Sequence, residues 1–180
     1  MTPAEYVQLK AFARVDGAQV ALLWTASFAC YLVGLKAPLL GMAAILLMII
    51  TPFFVARRLR RFRDVDRGGI ISLMRGWAFV ILVFFYGGVL LALVQFVYFA
   101  YLDQGYVLQT LHDVLSSPES RASLEQMGMT QTVSDSLQML SELRPIDYAL
   151  NQLTLNISLG ILLGLPIAAL LKKGNRVGQM

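Results

Sequence analysis

Residues 18–35 read AQVALLWTASFACYLVGL and residues 38–55 read PLLGMAAILLMIITPFFV, and only Lys36 and Ala37 separate these two apolar runs. Each run is uncharged and is about as long as the shortest helix that crosses a bilayer, roughly 18–20 residues. Pro38 suits the first turn of a helix, because its missing N–H group is not needed there. The stretch therefore predicts two membrane spans joined as a tight helical hairpin.

The composition of the whole chain favours the same class of protein. Of its 180 residues 57% are hydrophobic and 14% are charged, and the mean hydropathy is +0.65. Soluble domains are nearer about 45–50% apolar and about 25% charged. This balance excludes disordered, collagen-like and most soluble globular chains, and a single cysteine excludes a scaffold held by intrachain disulfides.

Two further apolar segments complete the predicted membrane domain. The third span is predicted over residues 70–102 and the fourth over residues 148–171. A basic loop, residues 56–69, connects the hairpin to the third span, and residues 172–180 form a tail. We therefore predict an all-α integral membrane protein with four transmembrane helices.

Residues 1–17 are predicted to form a separate amphipathic helix on the membrane surface. The opening TPAE, residues 2–5, has the pattern of a capping box with proline in the first turn. The alternative is a simple extension of the first span that is broken at Gly17. Because the apolar run continues past Cys30, we expect it to be a retained helix rather than a cleaved signal peptide.

Residues 103–147 form the one long polar segment, and it is predicted to fold into short helices. About 45 residues is too long for a typical structureless loop within a compact domain. The expected boundaries are Ser117 as a cap, Gly128 as a stop, Thr130 or Thr132 as the next cap, Pro145 as a stop, and Asp147 as the cap of the fourth span. We therefore predict a helical insertion between spans three and four.

The distribution of positive charge predicts the orientation of the chain. If the N-terminus is cytoplasmic, 12 of the 15 Lys and Arg residues lie inside and only Lys36, Arg121 and Arg144 lie outside. The positive-inside rule favours this arrangement strongly. Both termini are then cytoplasmic and the insertion is extracytoplasmic. The excess of basic residues is therefore interpreted as a feature of membrane topology and not as a nucleic-acid site.

The arginines around the second-to-third span junction are the candidate binding residues. Juxtamembrane arginines attract anionic lipid head groups by about 1 kcal/mol each, and a guanidinium binds phosphate bidentately. The residues assigned to lipid phosphate or a partner are Arg57, Arg58, Arg60, Arg61, Arg63 and Arg75. The alternative is that the cluster only sets topology, with Asp64 and Asp66 pairing locally and Arg75 reaching back to the interface.

Small residues at four-residue spacing mark candidate helix contacts. They are Gly160 and Gly164 in span four, Ala26, Cys30 and Gly34 in span one, and Gly88 and Ala92 in span three. Such faces let helices approach closely. Packing within one chain is expected ahead of a homo-oligomer face. In the outer half of span four, Asn151, Thr154 and Asn156 are expected to bond across helices or to line a polar cavity.

No pattern in the chain points to catalysis. No span centre carries Asp, Glu, Lys, Arg or His, so a proton relay or ion-coupled pump lacks its usual parts. His112 is the only histidine, and together with one cysteine it leaves too few ligands for a conventional zinc site. No nucleotide-binding or nucleophile motif is present. We predict a protein that is not an enzyme and that needs no metal or cofactor.

Four stretches resemble a Bacteroidota family of small inner-membrane proteins that is defined only as a domain of unknown function. They are RRLRRFRDVDRGGIISLMRGW at residues 57–77, FVYFAYLDQGYV at 96–107, LEQMGMTQTVSDSLQMLSEL at 124–143 and LLKKGN at 170–175. The family's Arg-x-Tyr/Phe-Arg-acid element is matched at residues 61–64, followed by Gly68-Gly69. Its Asp-Pro after span three is replaced here by Asp103-Gln104.

The resemblance implies a bacterial inner-membrane location and one partner class, because members of the family are often neighbours of a membrane-associated glycosyltransferase. The leading hypothesis is therefore a non-enzymatic accessory or scaffold protein for envelope lipid or glycan assembly, whose basic loop binds membrane lipids or that enzyme. The alternative is a small oligomeric transporter or flippase for a lipid or a polyprenyl-phosphate sugar.

Overall fold

The computed structural model describes residues 2–174, and nearly all of these residues are helical. The long helices are α1 (Pro3–Gly34), α2 (Pro38–Arg61), α3 (Leu73–Val97) and α7 (Pro145–Leu171), and the short ones are α4 (Tyr106–Leu115), α5 (Pro118–Gln126) and α6 (Thr130–Glu142). A π-helical turn extends α2 over Phe62–Asp66, and another extends α3 over Tyr98–Leu102. Four helices, including those extensions, are long and apolar enough to cross a membrane. The prediction of an all-helical, four-span protein is confirmed.

Helix α1 differs from its prediction, because it runs without a break through Gly17. The separate helix expected over residues 1–17 is therefore the first part of α1, over the residues that the structure describes. Thr2 and Glu5 do form the capping box, with Thr2 N–H donating to the Glu5 carboxylate over 2.9 Å. Gly17 lies within α1 at a point where α3 packs closely against it. A Cβ at this position would lie 2.8 Å from Tyr86 Cβ, so only glycine fits the close approach.

The basic loop is also shorter than predicted. Helix α2 and its π turn carry the chain as helix to Asp66, and α3 begins at Leu73 after Ser72, whose hydroxyl accepts a bond from the Arg75 N–H group over 3.4 Å. Arginine is a good helix former, and positive charge stabilises a helix C-terminus. A loop expected over residues 56–69 thus becomes mostly helix, and span three starts three residues after position 70.

Helix α3 is the centre of the bundle. It packs along α1 on one side and along α7 on the other, while α2 packs mainly against α1. Phe79 stacks on Phe62 at 4.9 Å between ring centroids, and Phe84 meets Trp24 edge-on at 5.4 Å. The outer face of α2 is bare and apolar, with Leu39 exposed by 78%. Lipid tails would cover this face in a membrane.

Some of the predicted small-residue faces are contacts between helices, and one of them is not. Gly160 and Gly164 are buried against α3, where a Cβ at Gly160 would lie 2.6 Å from Phe84 Cβ. Gly88 of α3 also faces α7, and Gly34 meets the α2 backbone at Gly41. In the same stripe as Gly34, Cys30 is half-buried and Ala26 is exposed, so that stripe is not one continuous contact.

The segment between spans three and four folds as a three-helix cap, α4–α6, at the end of the bundle where α3 ends. Ser117 caps α5, accepting a bond from Ser120 N–H over 3.3 Å, and Gly128 adopts a left-handed conformation (φ +64°) in the turn that follows. The cap expected from Thr130 or Thr132 is wrong, because α6 begins at Thr130 with no side-chain cap.

The start of span four also differs from its prediction. Helix α7 begins at Pro145, so Pro145 opens span four rather than ending the preceding helix, and Arg144 takes the N-cap position expected of Asp147. The Asp147 carboxylate nevertheless accepts the Arg144 N–H group over 2.9 Å, so the acid satisfies a helix-end donor from inside the first turn.

Candidate functional site

The predicted binding residues gather at one end of the bundle, which we call the arginine-rich end. It comprises residues 57–75, together with the first four turns of α1 and the last residues of α7 that contact them. The structure divides the arginines of this end into two groups. One group is held by carboxylates or carbonyls of the bundle, and the other points away from it.

Arg58 is held in a buried ion pair. Its Nε donates to Asp16 Oδ1 over 2.6 Å, and its Nη2 also contacts that oxygen. The Asp16 side chain is 3% exposed and the Arg58 side chain 20% exposed. Of the predicted binding residues, Arg58 is therefore assigned to joining α1 and α2, since its charge is already compensated.

Glu5 holds two further arginines. Its two carboxylate oxygens accept bonds from Arg67 Nη2 and Arg75 Nη2, each over 2.7 Å, and Gln8 receives a longer bond of 3.4 Å from Arg67. Arg75 was expected to serve as a lipid ligand or to reach back to the interface. It instead pairs with Glu5, and this pairing ties the beginning of α1 to the beginning of α3.

Arg63 fastens the end of α7. Its Nη1 donates to the Leu171 carbonyl over 2.9 Å. Its Nε and Nη2 donate to the two carboxylate oxygens of Asp64 over 2.7 and 3.0 Å. The Leu171 carbonyl is one of those that a helix C-terminus leaves without an internal partner. Beyond it, Lys173 and Ile71 exchange two backbone hydrogen bonds as an antiparallel bridge. Of the predicted tail, residues 175–180 lie outside the described residues.

Arg57, Arg60 and Arg61 form the second group, which we call the outer arginines. They are three and four positions apart, so they share one face at the end of α2, and all three are exposed. Arg60 is 69% exposed and lies 3.7 Å from Asp64, a distant contact. Within residues 2–174, no carboxylate lies within ion-pair distance of Arg57 or Arg61. These guanidiniums are therefore available to an external anion.

A groove of about 300 Å³ lies beside the outer arginines, between α1 and the end of α2. Its apolar walls are formed by Phe12 and Val15 on one side and Phe62 and Val65 on the other, and Arg61 stands at its edge. Two arginines, Arg58 and Arg61, and two aspartates, Asp16 and Asp66, line the groove, and the outer arginines Arg57 and Arg60 lie outside it. Apolar walls next to a row of guanidiniums match the chemistry of a phospholipid.

A second polar feature lies inside the bundle, between α3 and α7, and consists of Gln95, Gln152 and Asn156, which we call the amide cluster. Asn156 is fully buried, and its Oδ1 accepts a bond from Gln152 Nε2 over 3.2 Å. Asn156 Nδ2 and Gln95 Oε1 have no hydrogen-bond partner. Sequence reasoning identified Asn156 but missed Gln95 and Gln152. The only signal for these two residues in the sequence was an amide side chain within an apolar span. Asn151 and Thr154, proposed with Asn156, lie on the exposed side of α7.

The family comparison covers both features. A family model described as a protein of unknown function (DUF4199) matches residues 16–173. The chain belongs to the DUF4199 family. The DUF4199 match begins at Asp16, the partner of Arg58, and ends at Lys173, the partner of Ile71. It therefore includes the outer arginines, the amide cluster and all three cap helices. No curated protein and no solved structure matches the chain.

The described part of this DUF4199 chain holds no group of three or more His, Cys, Asp or Glu side chains placed to bind a metal ion. His112 lies on the cap, far along the chain from Cys30, which is a free thiol in α1. The residues brought together at the arginine-rich end are guanidiniums, carboxylates and apolar side chains. This arrangement can bind and orient an anionic amphiphile.

Proposed function

We propose that this protein is a non-enzymatic accessory or scaffold protein of a bacterial inner membrane that binds anionic lipid through its outer arginines. The observation that carries the proposal is the division of the arginines. Arg58, Arg63, Arg67 and Arg75 each pair with a carboxylate of the chain, whereas Arg57 and Arg61 have no acidic partner among residues 2–174. Unpaired, exposed guanidiniums beside a lipid-facing apolar helix suit a phosphate ligand.

The orientation of the chain supports a ligand on the cytoplasmic leaflet. The positive-inside rule puts the arginine-rich end, and with it both ends of the described chain, on the cytoplasmic side. Anionic phospholipids and polyprenyl phosphates both present a phosphate next to an apolar chain. The groove beside Arg61 offers apolar walls to such a chain, and the outer arginines offer their donors to the phosphate.

Lipid titration followed by native mass spectrometry tests the binding step. The double variant Arg57→Gln/Arg61→Gln should bind phosphatidylglycerol about thirtyfold more weakly than the parent protein, because each arginine contributes about 1 kcal/mol. The matched control Lys36→Gln/Arg144→Gln removes two exposed charges at the cap end and should leave affinity within about twofold. Equal losses in both variants would mean that overall charge, not this site, attracts the lipid.

The accessory role is tested separately by purification from native membranes in mild detergent. We expect a membrane-associated glycosyltransferase of envelope lipid or glycan assembly to co-purify in a stoichiometric amount. The Arg57→Gln/Arg61→Gln variant shows whether the outer arginines bind lipid alone or the enzyme as well. It fails to co-purify the enzyme only if these side chains contact it. Recovery of the protein with lipid but without any enzyme would contradict the accessory role.

The amide cluster favours a second candidate function, a small lipid or polyprenyl-phosphate-sugar transporter. Asn156 Nδ2 and Gln95 Oε1 are buried polar atoms without partners, and such groups inside a membrane often mark a substrate path. A transporter would move fluorescent lipid across liposomes containing the purified protein, and Asn156→Leu would slow that movement. Liposomes without lipid flux would exclude this alternative.

A further inference from the structure

The cap at the opposite end of the bundle surrounds an open cavity of about 760 Å³ between α4, α5 and α6. The floor of this cap cavity consists of aliphatic side chains from all three helices: Leu108, Leu115, Leu124, Val133 and Leu137. Its rim is polar. Because the cavity is open, this aliphatic floor is an exposed apolar patch, and an exposed apolar patch rimmed by polar residues is typical of an interaction site.

The volume of the cap cavity falls in the range of small-molecule sites, and its floor is apolar. Small-molecule sites have volumes of about 300–1,000 Å³ and apolar linings with a few placed polar groups. The apolar stripes of α4 and α6 face each other across the cavity, but their side chains, such as Leu108 and Leu137, remain half-exposed. An apolar occupant would remove these side chains from water, which the three helices do not do by themselves.

Two charged groups on the rim indicate the head group of that occupant. Arg121 and Glu125 are one turn apart on α5 and both line the cavity. Neither forms an ion pair with any residue in the described range 2–174. A cation and an anion one helical turn apart and not paired with each other complement a ligand that carries both charges, such as a phosphate next to an ammonium.

The cap cavity lies close to where α3 leaves the apolar bundle. Gly105, which lines the cavity, follows the last turn of the third span at Leu102 by three residues. The Tyr148 hydroxyl donates to the Leu140 carbonyl over 2.7 Å, which fastens α6 to the first turn of α7. The cavity is therefore held near the membrane surface at the cap end, within reach of lipid in that leaflet.

We propose that the cap cavity binds one acyl chain of a zwitterionic phospholipid of the phosphatidylethanolamine type. The chain lies on the aliphatic floor, the phosphate binds Arg121, and the ammonium group binds Glu125. This site is distinct from the outer arginines and does not depend on the function proposed for them. It gives the cap a ligand of its own, at the leaflet opposite the arginine-rich end.

Photo-crosslinking in vesicles tests the proposal. The full chain is reconstituted in phosphatidylethanolamine–phosphatidylglycerol vesicles that contain a phosphatidylethanolamine with a diazirine on its acyl chain, and adducts are located by mass spectrometry. We expect adducts on the cavity face of α6, at Val133 and Leu137. Lipid-facing Leu39 and Met42 of α2 serve as the internal reference in every sample.

A matched pair of substitutions on α6 gives the control. Ser134 lines the cavity, whereas Ser136 is exposed on the opposite face of the same helix. Ser134→Trp should reduce cap adducts about tenfold relative to α2, because losing even two buried methylenes weakens binding that much. Ser136→Trp should leave them unchanged. On the rim, Arg121→Gln and Glu125→Gln should each reduce cap adducts, and Glu119→Gln should not.

Three results would overturn the proposal. Adducts centred on exposed Met139, on the far side of α6, would mean that the cap lies on the bilayer by its other face. Equal cap adducts in Ser134→Trp and Ser136→Trp would mean that no chain enters the cavity. Equal labelling by a phosphatidylglycerol probe would exclude selection of a zwitterionic head group. The first readout uses the unsubstituted protein, so it stands even if Ser134→Trp fails to fold.

Discussion

At the scale of single residues, the pair Arg58–Asp16 shows how a membrane protein accommodates charge near its interior. Taking a carboxylate or guanidinium out of water is unfavourable, and direct pairing in good geometry offsets much of that penalty. The 2.6 Å bond from Arg58 Nε to Asp16 provides that geometry. What the pair adds is specificity of contact, since it aligns α1 and α2 at one position along their length.

Removing one partner should therefore be far more harmful than removing an exposed acid. Asp16→Asn leaves the largely buried Arg58 side chain, which is 20% exposed, without its counter-charge and should lower the free energy of unfolding in detergent by about 3 kcal/mol. Asp113→Asn is the control, because Asp113 is exposed on α4 and forms no ion pair within residues 2–174, so its loss should change the free energy of unfolding by about 0.5 kcal/mol or less. If both variants lose the same stability, the Arg58–Asp16 pair is not the special contact described here.

Sequence reasoning predicted the kinds of residue in the site but not their partners. It located the arginines, the Thr2–Glu5 capping box and the Ser117 cap, because those depend on neighbours in the chain. It could not tell that Arg58 would meet Asp16, 42 positions earlier, or that one carboxylate, Glu5, would hold two arginines. Those contacts arise from the packing of separate helices, which no local pattern specifies.

At the scale of the helices, the α1–α2 hairpin depends on an asymmetric glycine contact. A Cβ on Gly34 would collide with the backbone of Gly41, whereas a Cβ on Gly41 would lie 3.6 Å from the Gly34 carbonyl oxygen, an ordinary contact. The two glycines face each other, but only Gly34 is required by the close approach. The hairpin predicted from residues 18–55 is thus closed by a contact that the apolar pattern alone does not indicate.

Two alanine substitutions should therefore have opposite effects. Gly34→Ala should lower the free energy of unfolding by about 1–3 kcal/mol, because the helices must separate to admit the methyl group. Gly41→Ala should raise it by about 0.5–1 kcal/mol, since alanine is favoured over glycine in a helix. Thermal unfolding of the two variants in the same detergent measures both effects. A loss of stability in both would contradict the geometry of this contact.

Helix ends were harder to predict than helix positions. All four apolar runs became long helices, but α1 extended through Gly17 and α2 extended through the arginines. The arginines continue α2 because arginine favours a helix, but Gly17, a residue type that often interrupts a helix, is accommodated by close packing on Tyr86. Local propensity is a weak guide where packing decides the outcome.

At the scale of the whole molecule, the arginine-rich end and the cap are predicted to face opposite sides of the membrane. Single cysteines in a Cys30→Ala background test this orientation. Val65→Cys, at a position that is 72% exposed, should react with an impermeant maleimide only after the membrane is opened, and Ser120→Cys on the cap should react before that. The reverse order of labelling would invert the topology and place the outer arginines on the other leaflet.

The contacts of the first hairpin also have a consequence for biosynthesis. Asp16 bonds Arg58, the Trp24 indole donates to Thr51 over 3.0 Å, and Ser27 donates to the Ala44 carbonyl over 2.9 Å. All these partners lie within the first 58 residues, so none of these bonds needs a residue of α3 or α7. The nascent hairpin can therefore satisfy these buried polar groups before α3 and α7 pack against it. Glu5 then receives Arg67 and Arg75 when α3 docks, and the bundle closes when α7 packs along α3 and its Leu171 carbonyl accepts a bond from Arg63.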